Sequence, residues 1–259
     1  MENQQKEALL EEFFSAGVHY GFAKGKRHPS IQPHVYGQKN TIDILNIEDT
    51  ISMLSTAEQF LAEKAATGKK IVFIGNKKEA QDPAKEAALR TGMPYVANRW
   101  IGGTFTNFKE IRSRVAYLEK LIADRDSGEL ATKYTKREQG KIKLEIEKLL
   151  ANFDGIRSMS ELPKVIVVID PRFEHTCIRE AQQMGIVVVA IAGSDCNILD
   201  IDYPIVANDA APSSIKMLVG RLADAVAKGL EQVPAVLPEK EKTLSAKEEK
   251  DETVPEATE

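Results

Sequence analysis

Three runs of mostly β-branched apolar residues punctuate the chain: IVFIG at 71–75, KVIVVID at 164–170 and IVVVAIA at 186–192. They lack the in–out alternation of a half-exposed strand, which predicts strands covered on both faces in a parallel sheet. Shorter strands are expected at 94–96 and 203–208. Between the runs, apolar positions recur at helical spacing. Ile51, Leu54, Leu61 and Ala65 predict a helix over 48–66 that stops at Gly68, and others are predicted over 77–91, 173–184 and 212–230. Strands and helices in this alternation predict an α/β domain with right-handed crossovers.

Residues 107–153 break the rhythm. Ile111, Val115, Leu118 and Ile122 step by four, three and four, and Ile142, Ile146, Leu149 and Phe153 repeat the steps. Narrow stripes of this kind, with dense charge around them, predict two helices forming an antiparallel coiled-coil hairpin that stands out from the domain. Asn107 with Glu110, and Thr135 with Glu138, fit capping boxes at the two starts, and SGELATKY is the expected linker.

Toward the N-terminus, 4–14 reads as a short amphipathic helix with Leu9, Leu10, Phe13 and Phe14 on its apolar side. Residues 17–40 follow without helical period and predict an irregular loop, with a short strand near Val35-Tyr36 and another at 41–47. From about Pro234 the chain is charged and nearly free of large apolar residues, and disorder is expected.

Charge changes this picture locally rather than globally. The formal net charge is −4, but residues 236–259 carry eight acidic and four basic groups, and the remainder holds 31 of each sign. Within that neutral remainder, Gly17–Asn40 carries Lys24, Lys26, Arg27, Lys39 and three histidines and no acidic residue. A concentrated basic segment favours contact with a polyanion whatever the average. Tyr36 and the histidines add groups able to stack on unpaired bases. No apolar run is long enough to span a bilayer, the N-terminus lacks a signal-peptide pattern, and two cysteines suggest no disulfide framework. A cytoplasmic protein is expected.

Candidate chemistry is thin elsewhere. IVFIG followed by Asn76, Lys77 and Lys78 invites a nucleotide reading, but neither GxGxxG nor GxxxxGK[ST] is present. His175, Cys177 and Cys196 fit no zinc spacing, so no metal is expected. Asp170, at the end of a strand, reads as the cap of the following helix. The stretch NRWIGGTFTNF (98–108), with the only tryptophan, admits four readings: a phosphate loop, a packed joint at the root of the hairpin, a nucleic-acid contact through Arg99 and exposed amides, or a catalytic loop.

SAGVHYG (15–21), PHVYGQKN (33–40), IVFIGNKKEAQ (71–81), MPYVANRWIGGTFTNF (93–108), the heptad hairpin, ELPKVIVVIDPRFEHTCIREAQQMGIVVVAI (161–191) and the pair Asn208-Asp209 occur in that order. Together, from about Leu9 to Leu230, they resemble the ribosomal protein S2 family of the bacterial or organellar small subunit. The resemblance implies a flavodoxin-like doubly wound sheet in three α/β/α layers, formed by 1–106 with 154–232, a coiled-coil hairpin inserted at 107–153, and a disordered tail at 233–259. It implies a structural ribosomal protein rather than an enzyme, bound to the ribosome, without cofactor, metal, membrane contact or small-molecule substrate. Its implied partners are small-subunit rRNA and other ribosomal proteins, notably the large mRNA-binding one built of repeated OB domains.

On that reading Lys24, Lys26, Arg27, His28, Lys39, Asn40, Lys77, Lys78, Arg99, Thr104, Lys109, Arg112 and Arg114 face rRNA, mainly its phosphates. Trp100, Gly102 and Gly103 shape the loop that presents them, with Trp100 expected to be buried. The chain departs from the family pattern at four places. Phe22 follows Gly21 where the family has His, and Arg27-His28 replace a Trp-Asn pair. Residues 193–200 read GSDCNILD in place of an Asp-rich loop, and Ala210 follows Asn208-Asp209. Two rivals remain: a nucleotide- or flavin-dependent α/β enzyme, which shares the fold, and a free interaction module that works through the hairpin.

Overall fold

A computed structural model describes residues 2–232, without the side chains of residues 2–6 and 131; the segment expected to be disordered, 233–259, lies outside the described residues. After α1 (Glu2–Ser15), three short strands pair antiparallel in the order β1 (Tyr20–Ala23), β3 (Ile42–Leu45), β2 (Val35–Lys39). The main sheet holds β4 (Ile71–Ile74), β5 (Tyr95–Val96), β6 (Val165–Ile169), β7 (Val187–Ala192) and β8 (Tyr203–Val206). All its pairings are parallel, in the order β5-β4-β6-β7-β8. This is the flavodoxin-like order, whose winding reverses between β4 and β6.

Alternation along the strands divides the core in two. Ile71, Phe73, Val165, Val167, Ile169, Val189, Ile191 and Ile205 face one side, against α2 (Ile47–Ala66), α3 (Lys78–Thr91) and α8 (Pro212–Glu231). Val72, Ile74, Ile166, Val168, Val188 and Ala190 face the other, in a cluster that takes in α7 (His175–Gln183) and runs on into α4 (Phe108–Asp126) and α6 (Lys136–Phe153). Both faces being covered explains why these strands read as continuous apolar runs.

α4 and α6 pack against each other, and their apolar residues continue the cluster on the second face. Their buried residues Ile111, Val115, Leu118, Ile146 and Phe153 belong to the same cluster as the sheet. Leu121 takes the buried place expected of Ile122, which is half-buried. The linker contains a short helix, α5 (Glu129–Lys133). Thr135 and Glu138 make the expected capping box, whereas Asn107 makes no side-chain cap.

On the first face, α2 and α8 cross closely at Gly229. A Cβ there would come within 2.3 Å of the Ala62 carbonyl oxygen and 2.8 Å of the Ala65 Cβ. Gly229→Ala is expected to force the helices apart and lower stability by about 1–3 kcal/mol. A urea midpoint equal to that of the parent protein would refute this.

Candidate nucleic-acid interface

The basic segment is ordered rather than irregular, which corrects the loop expected over 17–40. Two 3-10 turns, Lys24–Lys26 and Pro29–His34, join β1 to β2, and the β2–β3 turn places Asn40 and Thr41 at positive φ. The segment leans on residues 193–200. The Phe22 amide donates to Ser194 Oγ at 2.7 Å, the His28 amide to the Ser194 carbonyl at 2.9 Å, and the Ile198 amide to Ser30 Oγ at 3.2 Å. Gly21 makes the approach possible, because a Cβ there would lie 2.9 Å from Ser194 Oγ. The loop whose sequence departs from the family pattern is thus the seat of the basic segment.

The thirteen residues expected to face RNA separate into distinct groups. Lys24, Lys26, Lys39, Lys78, Arg99 and Lys109 are exposed and make no ion pair among the described residues. Asn40 is exposed at the β2–β3 turn. Arg27 is half-buried, its Nε 3.6 Å from the fully buried Asp43 carboxylate. Lys77 Nζ sits 3.1 Å from Asp170 Oδ2 and donates to the Asp209 carbonyl. Arg112 donates to the Arg157 carbonyl at 3.0 Å, and Arg114 pairs with Glu110. His28 Nδ1 is engaged by Ser30, capping the second 3-10 turn. Thr104 is buried and its hydroxyl donates to the Ile101 carbonyl at 2.6 Å, so it closes the loop rather than facing outward.

The stretch around Trp100 does cradle an anion, and the anion belongs to the protein. Glu180, on α7, is buried beneath it. Its Oε1 accepts from Trp100 Nε1 at 3.1 Å and from the Gly103 amide at 2.9 Å. Its Oε2 accepts from the Phe105 amide at 3.0 Å and from the amide and hydroxyl of Thr106 at 3.4 Å. Gly103 turns the chain at φ 90°, a conformation glycine adopts without cost. Successive amides converging on one carboxylate form an anion-binding nest. Trp100 is 9% exposed and meets the Phe105 ring edge-on at 4.8 Å, while neighbouring Arg99 remains exposed.

At the carboxyl ends of the strands, Asp170, Cys196 and Asp209 bring one potential ligand atom each to within 4.8 Å of one another. The Lys77 ammonium already supplies a cation there. Burial depresses its pKa, but Asp209 and Asp170 more than offset this and leave it raised. Burial pushes the Cys196 thiol up, and Asp209 adds to the shift. The donor set fits a buried polar knot closed by lysine better than a metal centre. Asp170, at φ 61°, accepts from the Phe173 amide and closes the turn before α7, whose N-cap is Glu174. His175 is exposed and Cys177 fully buried, so that pair does not converge on Cys196.

Residues 13–229 match the family model described as ribosomal protein S2. The chain belongs to the ribosomal protein S2 family. It is 40% identical over 221 residues to the small ribosomal subunit protein uS2 of Rhodopirellula baltica, covering 85% of each chain. With the protein of the same name from Coprothermobacter proteolyticus it shares 38% over 222 residues, 86% of this chain and 82% of the other. With that of Dictyoglomus thermophilum it shares 36% over 241 residues, 93% and 96%. Among the described residues no helix is long and apolar enough to cross a membrane.

For this S2-family chain the residue that sequence reasoning missed is Glu180. A signal for it existed. In α7, Cys177, Ile178 and Ala181 are buried, and Glu180 falls among them at i+3 from Cys177. A charged residue on an apolar stripe requires a buried partner.

Proposed function

We propose that this chain is a structural constituent of the small ribosomal subunit. In this reading it binds rRNA through phosphate and shape and helps to hold the large OB-repeat mRNA-binding protein, acting in the cytoplasm and catalysing no reaction. Membership of the S2 family and the names of its relatives support the subunit assignment. The observation that carries the RNA contact is the set of cations without carboxylate partners: Lys24, Lys26 and Lys39 on the basic segment, with Lys78, Arg99 and Lys109 beyond it. Surface lysines held on an ordered scaffold cost little to present and release counterions when they meet phosphates. Lys109 and Arg114 would extend the contact along α4. The rival enzyme reading would place a phosphate at the β4–α3 turn, but Lys77 there is committed to Asp170 and Asp209.

The test is Lys24→Glu, Lys26→Glu and Lys39→Glu together. These side chains are exposed, so the folding free energy should change by only about 0.5 kcal/mol. The triple variant is expected to leave the small-subunit peak of a sucrose gradient and collect as free protein. The salt dependence of its binding to isolated rRNA should weaken by two to three units of slope, roughly one per lost phosphate contact. Unchanged co-sedimentation would overturn the assignment of the basic segment. Subunits lacking this chain are expected to lose the OB-repeat protein in the same gradient.

A further inference from the structure

At the carboxyl ends of β4, β5 and β6, where the winding of the sheet reverses, a cleft of about 670 Å³ opens to solvent. Its lining divides into committed and uncommitted groups. Glu174 is fully engaged, with Oε1 accepting from the Asn76 amide and Oε2 from Asn76 Nδ2. Trp100 presents its ring while its N–H is held by Glu180. Asn98, Asn152 and Arg99 also line the cleft, and their side chains make no hydrogen bond or ion pair among the described residues. Phe173, on the same lining, is 58% exposed and stacks on no other ring.

Two free amides, each offering a donor and an acceptor, match the edge of a heteroaromatic base. An exposed aromatic ring offers a stacking face. A free guanidinium beside them suits a phosphate. Open α/β sheets take ligands in this crevice, at the point where strand order reverses. No carboxylate other than the engaged Glu174 lines the space, so an anionic ligand meets no free opposing charge.

We propose that this cleft seats an unpaired nucleobase with its 5′-phosphate, the base lying on Phe173 and read by Asn98 and Asn152, the phosphate held by Arg99. The source is either an extruded residue of an RNA strand or a free nucleotide. The first source rests on the rRNA-binding reading above and locates one contact within it; the second does not depend on that reading.

Trp100 is the only tryptophan and lines the cleft, so its emission reports occupancy. The full chain is titrated with a single-stranded RNA hexamer, with the same hexamer made abasic, and with adenosine and uridine 5′-monophosphates. Saturable change of emission with the intact hexamer, absent with the abasic one, supports the site. A saturable response to a monophosphate at lower concentration assigns it to free nucleotide, and a response to the hexamer alone assigns it to an RNA strand. Phe173→Ala, at an exposed position, should weaken that response about tenfold, the loss expected for one stacked base, and Asn98→Ala, also at an exposed position, should weaken it by removing a contact to the base edge. The Lys24→Glu, Lys26→Glu, Lys39→Glu variant separates the two readings. Its mononucleotide response should be unchanged even where its rRNA binding is lost. An equal response to the abasic hexamer, or none to any ligand, overturns the proposal, as does a Phe173→Ala protein that binds like the parent.

Discussion

Glu180→Ala is expected to cost about 3–5 kcal/mol of folding stability, the penalty for deleting one side of a buried charge-assisted network. The residue is 7% exposed, so water does little to screen the loss. Five donors converge on it: Trp100 Nε1, the amides of Gly103, Phe105 and Thr106, and the Thr106 hydroxyl. Shape alone cannot restore this arrangement. Both carboxylate oxygens accept, so the amide nitrogen of Glu180→Gln would face two or more donors wherever it turned. The glutamine variant should therefore lose about 1–3 kcal/mol despite its matching volume. Because the loop holds the only tryptophan, native emission should shift to the red in both variants as the indole gains water. Urea unfolding followed by that emission and by circular dichroism checks the claim. An alanine variant with the parent's midpoint and emission would show that the loop holds itself. The loop also carries exposed Arg99, so on the proposed RNA-binding reading Glu180→Ala should weaken RNA binding without altering any residue proposed to face RNA.

How much of this was legible depended on where the deciding contact lay. β4, β6 and β7 could be read because burial on both faces leaves a continuous Val/Ile run. β1 could not, and β2 only at Val35-Tyr36, since YGFA and VYGQK are mixed in polarity and bury none of their residues fully. β1 leans on the platform at Ser194, far along the chain. The apolar stripes of α4 and α6 were legible because these helices pack against each other and bury Ile111, Val115, Leu118 and Ile146. Among the cations, sequence offered no way to separate Lys24 from Arg27 or Lys78 from Lys77. The difference is made by Asp43, Asp170 and Asp209, which chain folding brings to one member of each pair. The tryptophan stretch had the composition of an anion cradle; Glu180 stood out as a charge on the apolar stripe of α7, but nothing in the sequence joined it to Gly103, 77 residues earlier.

Stability should fall as pH rises through neutrality, and Glu174→Gln should remove much of that slope. Burial pushes the Glu174 carboxyl up to about 7 from an ordinary 4.5, with Asp170 adding to the shift against the hydrogen bonds from Asn76. Asp209 is also pushed up to about 7, from 3.8, by burial and then by Asp170, with Lys77 opposing. In both cases the folded pKa lies above the unfolded one. Between the two values the folded chain holds more protons, so the contribution is complete below about pH 4 and is lost as pH rises through about 7. Glu174 alone corresponds to about 3 kcal/mol and Asp209 alone to about 4 kcal/mol, and the pair to less than the sum because both interact with Asp170. A glutamine at 174 carries no charge to bury. Its oxygen can still accept from the Asn76 amide, and its nitrogen can donate to Asn76 Oδ1 once that side-chain amide turns over. That oxygen is buried without a partner in the parent protein. Urea unfolding of parent and variant is measured from about pH 5 to about pH 8, and the difference between them isolates this group from all other titrations. The variant is expected to gain on the parent steadily with pH and to be the more stable protein at the alkaline end. A difference that stays constant across the range would show that Glu174 titrates outside it, and that its burial is offset in full by the Asn76 hydrogen bonds.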